Sequence, residues 1–331
     1  MCAANFETMA YAGELPWHGL GVQVPDNLTP DQMLTMAKLD WSVSTRPMFY
    51  KPVAPHLDDQ ITSPIPATEQ VHEHYALVRD SDSKMLDVVG HRYKPTQNKD
   101  AFDFFDKFVK ECQMKMHTAG SLCGGQYVWA LAKDERVARI AANDTIDSYI
   151  LLMSPHKLGR SLIAQHTTVR VVCQNTLNLA MSQGKAAFRM SHTRNFDATA
   201  KAEAAEVLGL IRDGMKQFTE HGKFLAGKKA SLLDVKQFFG TAFNLDDKEI
   251  EQDNNRVGGL MGKLVAAYAG GAPGSALASA KDTWWGALNA VTYVLDHKTG
   301  ADKDRNVRDN WLGARGEIKR SALTLALDMA A

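Results

Sequence analysis

No acidic residue stands between Asp147 and Asp197, although the chain holds 38 Asp and Glu in 331 residues. An even spread would place about five or six there. Lys157, Arg160, Arg170, Lys185, Arg189 and Arg194 occupy that stretch, together with His156, His166 and His192. Lys and Arg also number 38, so the chain is formally neutral and the gap is a local asymmetry of sign. An anion-binding face would have this character, and nucleic acid is the commonest macromolecular polyanion. A sheet region rich in β-branched residues is acid-poor for unrelated reasons, and that reading stays open.

Other absences narrow the function classes. The four cysteines, Cys2, Cys112, Cys123 and Cys173, form no CxxC pair and no even framework, which favours free thiols in a reducing cytoplasm. No run approaches the ~18 apolar residues of a membrane helix. Residues 1–20 contain Glu7, Glu14 and Pro16 without an apolar core, unlike a signal peptide. The expected location is therefore the cytoplasm, with no membrane partner. There is no GxxxxGK[ST] and no HExxH, Asp58-Asp59 and Asp246-Asp247 read as solvated loops or caps, and His72-x-His74 lacks a second ligand pair. No catalytic set, metal or cofactor is expected. With 45% hydrophobic and 23% charged residues, the composition is that of a globular protein.

Three regions follow from the pattern. Residues 1–70 read as a loop-rich extension broken by Pro16, Pro25, Pro30, Pro47, Pro52, Pro55, Pro64 and Pro66. Within it, Thr29 and Pro30 predict a short helix to Leu39, and residues 41–50 predict a strand. Residues 71–195 read as an α+β core. It holds a hairpin over 74–89, a helix over 99–112 capped by Asn98, and two strands around Gly124-Gly125. Strands at 148–153 and 161–173, a helix over 174–182 and an edge strand at 186–191 follow. Residues 196–331 read as helical, with predicted segments at 198–220, 232–243, 247–268, 281–296 and 318–329. The expected fold class is α+β: an antiparallel-rich sheet with packed helices, followed by a helical C-terminal region.

Three stretches invite a chemical reading. Gly90 to Lys99 joins a strand to a helix and carries Arg92, Tyr93 and Lys94. The cations could hold phosphates while Tyr93 stacks a base, or the segment is a solvated connection anchored by Tyr93. In Val169 to Leu177 a strand runs into the predicted helix, whose N-terminus at Asn175 and Thr176 could meet phosphate or simply be capped. Cys173 could be a nucleophile with His166 or His192 as base, or a buried thiol. Trp284 and Trp285 open a helix whose aromatics fit a core or a subunit interface.

Six ordered blocks carry a family resemblance: Tyr11 to Gly21, Val89 to Asn98, Thr118 to Leu122, Gly124 to Lys133, Val169 to Leu177, and Trp284 to His297. Together they resemble the "phage/plasmid-like protein" family of mobile elements, which is characterised by domain of unknown function 932. The resemblance implies a protein of a bacterial host cell's cytoplasm, concerned with replication, recombination, host takeover or defence evasion. It brings no catalytic residues with it. A sheet with packed helices and a basic strand-rich face is also similar, at the level of fold, to the Rad52-like single-strand annealing proteins of phages.

The leading expectation is thus single-stranded DNA binding or annealing in recombination or replication. Arg92, Lys94, Lys157, Arg160, Arg170, Lys185, Arg189 and Arg194 would neutralise phosphates and Tyr93 would stack a base. Annealing would need a homo-oligomer, for which the helical region with Trp284 and Trp285 is the candidate. Two alternatives remain: an accessory factor or defence inhibitor that binds a host or phage protein, and an enzyme using Cys173 or a histidine.

Overall fold

The computed structural model describes residues 7–13, 21–52, 68–136, 138–170, 175–178, 187–194, 198–245, 259–299, 309–310 and 313–331. The fold is α+β, with an antiparallel-rich sheet and a helical C-terminal region.

Among the described residues the large sheet has nine strands. Seven lie in the order β11 (Asn175–Asn178), β10 (Ser161–Arg170), β9 (Asp144–Pro155), β7 (Tyr127–Asp134), β6 (Met114–Leu122), β1 (Thr8–Ala12) and β2 (Val22–Val24). Strand β12 (Ala187–Ser191) also pairs with β10, and β8 (Ala138–Ala141) pairs with β9. Only β1 and β2 run parallel in this sheet. A second, antiparallel sheet has the order β3 (Val43–Tyr50), β4 (Glu69–Arg79), β5 (Lys84–Gly90).

Register explains why the central strands read as unbroken apolar runs. Residues Val128, Ala130, Ala132, Ile150, Leu152, Leu162 and Ala164 share one face, where helices α1 (Pro30–Met36) and α2 (Asn98–Glu111) close the main core. Tyr127, Trp129, Leu151 and Met153 project to the other face and are buried too. A strand buried on both sides has no polar alternation to keep. Helix α2 contributes Phe102, Phe105 and Phe108 at helical spacing. Helix α1 starts at a capping box, in which Thr29 and Gln32 bond each other's backbone N–H groups.

Helices α3 (Ala198–Gly227), α4 (Leu232–Ala242), α5 (Leu260–Ala266), α6 (Trp284–Tyr293) and α7 (Ala314–Ala330) build the C-terminal region. Single π-helical turns follow α5 at 267–271 and α6 at 294–298. Helix α3 bridges the regions, since Ala200 lies in the sheet core and Phe218 and Leu225 in the helical core. A polar bolt fastens them as well. Asp144, buried at the start of β9, accepts hydrogen bonds from Ser279 Oγ (2.7 Å) and Trp285 Nε1 (2.9 Å).

Three expectations change. Residues 8–12 and 22–24, expected in a loop-rich stretch, are strands of the large sheet, and Gly120 allows the close approach of β1. A Cβ at Gly120 would meet Thr8 O at 2.5 Å. Residues 175–178, expected to open a helix, pair instead with 167–170 as a strand, so the phosphate-binding helix N-terminus does not exist there. Trp284 and Trp285 are buried within the chain, and every residue from 284 to 292 is buried, so these rings are core and not an exposed assembly surface.

Candidate functional site

Three loops far apart in sequence meet at one end of the large sheet. The first is the connection 91–97 between β5 and α2, the second the turn 156–160 between β9 and β10, and the third the residues 192–194 after β12. Backbone bonds fix their adjacency. Lys94 N–H donates to His192 O at 2.6 Å, and His156 N–H donates to Gln126 O at 2.8 Å beside the β6–β7 turn. Ser161 pairs with Ser191, which sets Arg160 beside His192. The Gln97 side chain bonds both backbone groups of Val43, at 3.0 and 2.9 Å, and so ties the first loop to β3.

On the outside this junction is a basic rim. Arg92, Lys94 and Arg160 are exposed and Lys157 is half-buried. Lys157 Nζ reaches Gln126 Oε1 at 3.5 Å, and none of the four forms an ion pair with any described residue. Asp87 lies close by, but one carboxylate oxygen accepts the Leu158 N–H at 2.8 Å. Arg194 belongs to the same junction and is paired with Glu203 at 3.2 Å.

The other expected cations stand elsewhere. Arg189 is exposed on β12, opposite Ile163, and its charge adds to the burial that lowers the pKa of Arg320. Arg170 ends β10, so its backbone lies roughly 30 Å from the rim at ~3.3 Å per residue. Lys185 and Cys173 lie outside the described residues.

Beneath the rim lies a nest of buried polar side chains that the sequence did not disclose. Asn98 is the first residue of α2 rather than its cap, and its side chain points inward. Its Nδ2 donates to Leu39 O at 2.8 Å and Trp41 O at 3.3 Å, which leaves Oδ1 as the acceptor for His156 Nε2 at 2.8 Å. His156 therefore carries its proton on Nε2. Its Nδ1 is buried without a partner. Complete burial, reinforced by the charges of His192 and Arg79, lowers its pKa to about 3, so it is neutral. His192 bonds Thr96 Oγ1 through Nδ1 at 3.2 Å, and its Nε2 lacks a partner at hydrogen-bond geometry. Burial lowers its pKa, while the Pro155 and Lys94 carbonyls act in the opposite sense.

Tyr93 stacks on His192 with ring centroids 4.7 Å apart, and packs with Val43, Leu77 and Val89 of the small sheet. One face of its ring is thus already taken. Its hydroxyl is buried and unpartnered, and burial, then the charge of Asp87, raises its pKa. The remaining side of the nest is Trp41, 5.1 Å from His156, with the Arg79 guanidinium 5.2 Å from its ring. Arg79 grips Glu7 with two bonds, at 2.8 and 2.7 Å, and Asp82 with two more, at 3.0 and 2.6 Å. These carboxylates raise its pKa and fasten β1 to the small sheet.

His166 does not join this group. It lies within β10 opposite Ile150, buried, with neither ring nitrogen partnered. Its pKa falls to about 3 through burial. Among the described residues no three His, Cys, Asp or Glu side chains cluster as metal ligands do, and no helix is long and apolar enough to cross a membrane. The sequence signals for the nest were His156 and His192 in the acid-free stretch, and Tyr93 and Gln97-Asn98 before a helix. That pattern reads equally well as capping and turn formation.

A family profile described as "Domain of unknown function (DUF932)" matches residues 85–315, which span both the sheet and the helical region. The chain belongs to the DUF932 family. The matched span includes the rim and most of the nest, with Trp41, Arg79 and Glu7 contributed from outside it. No curated protein and no solved structure matches the chain.

Proposed function

We propose that this DUF932 protein binds single-stranded nucleic acid along the basic rim, in the recombination or replication of a phage or plasmid. One observation carries the reading: Arg92, Lys94, Lys157 and Arg160, from two loops more than sixty residues apart, stand at one junction and form no ion pair with any described residue. Exposed cations held on a rigid scaffold attract a polyanion and release its counterions on contact. The buried nest supplies rigidity, because its bonds join the first and third loops to the strands beneath. The mobile-element context rests on the six sequence blocks that resemble phage and plasmid proteins, and it implies the cytoplasm of a bacterial host. Annealing would also need several copies of the chain, assembled through surfaces other than the buried Trp284 and Trp285.

The test is fluorescence anisotropy with labelled single- and double-stranded oligonucleotides over a salt series. Four phosphate contacts predict a slope of log affinity against log salt of about −3 for a single strand. The Lys94→Glu/Arg160→Glu double variant is expected to bind at least ~10-fold more weakly at low salt, with an unchanged circular dichroism spectrum. Equal binding by this variant, or no binding by the wild type, would overturn the proposal. In the second case an acidic protein partner becomes the better match for the same four cations.

A further inference from the structure

We propose that Leu158 is an apolar wedge, inserting beside an unstacked base when a strand lies on the rim. This inference rests on the nucleic-acid reading above. Leu158 sits at the tip of the β9–β10 turn with 55% of its surface exposed, between Lys157 and Arg160. Isolated exposed leucines are common and by themselves mean little. Here the backbone around the side chain is held from several directions.

The Leu158 N–H is fixed by Asp87 Oδ2 of β5 at 2.8 Å. Arg160 N–H closes the turn onto Lys157 O at 3.3 Å, and Gly159 supplies the left-handed conformation there, with φ of +71°. Behind the turn, His156 N–H is bound to Gln126 O at 2.8 Å, and Gln126 Nε2 to Leu86 O at 2.6 Å. A leucine on a loose loop can fold back onto nearby apolar surface. This turn is pinned to both sheets, so the leucine stays at the tip.

Charge then selects the occupant. Lys157 and Arg160 flank the leucine, Arg92 and Lys94 stand on the neighbouring loop, and Asp87 is the carboxylate bonded to the turn, so the four cations outweigh it in a setting that opposes an apolar peptide and favours phosphates. Phosphates held on both sides of Leu158 bring the intervening bases against its methyl groups, and apolar side chains so placed part base steps. A leucine offers no hydrogen-bond donor or acceptor, so the contact would prefer easily unstacked steps and would not read base edges.

Single strands carrying 2-aminopurine at successive positions test the idea, since its emission rises when it unstacks. Anisotropy of a second label reports binding by the full chain in the same sample. The wild type is expected to raise emission at a restricted set of positions, and Leu158→Phe to preserve the rise. Leu158→Ala is expected to bind within about tenfold of the wild type while losing the rise. Saturating wild-type binding with unchanged emission at every position, or an equal rise with Leu158→Ala, would overturn the wedge and leave the rim intact. Absence of any anisotropy change with the wild type would instead overturn the nucleic-acid reading, and the wedge with it.

Discussion

Two buried residues show how differently polar groups can matter. Asn98 satisfies the carbonyls of Leu39 and Trp41 and accepts the proton-bearing nitrogen of His156. Asn98→Ala would leave these groups buried without partners, and should lower stability by about 3 kcal/mol in urea denaturation. His166, by contrast, has no partners to lose. His166→Leu should remain within about 1 kcal/mol of the wild type at pH 7, or exceed it. Sequence spacing could not separate these cases. Asn98 precedes a helix, as a cap would, and only the packing of α1 and β3 against it turns its amide inward. The cationic rim was easier to see: Arg92, Lys94, Lys157 and Arg160 could all be named from local charge, because long charged side chains at turns stay in water whatever the tertiary arrangement.

Elements were legible where their signals were local. The α2 phenylalanine stripe, the Thr29–Pro30 start of α1 and the turn-forming residues of the β4–β5 hairpin each act within a few residues. Strand β11 was misread because Asn175 and Thr176 suit a helix start, while the pairing that makes them a strand comes from Thr167 to Arg170. Strand β1 was hidden for a related reason, as its partner lies in β6, more than a hundred residues away. Its seat depends on Gly120, where an added Cβ would press on the Thr8 backbone carbonyl. Gly120→Ala should therefore detach β1 before the rest unfolds. Hydrogen exchange would report the change as faster exchange in residues 8–12 and 119–122, while α2 keeps its protection.

Across the whole molecule, buried histidines tie stability to pH. His156 and His166 ionise near pH 3 when folded, against an ordinary value of 6.5. Below pH 6.5 the unfolded chain takes up protons that the folded chain refuses. The stabilisation is complete above that pH and is lost as pH falls towards 3. Each histidine contributes a slope of about 1.4 kcal/mol per pH unit. Denaturation between pH 6 and 4 should show this slope, and His166→Leu should reduce it by one histidine's share. The placement of β1 reaches beyond equilibrium. Thr8 meets Ser121 across 113 positions, so a ribosome adding 5–20 residues per second needs roughly 6–20 s to deliver the second after the first. During that interval Met9, Ala10 and Tyr11 have no β6 neighbour to pair with, and this apolar segment is open to chaperones until β6 is made.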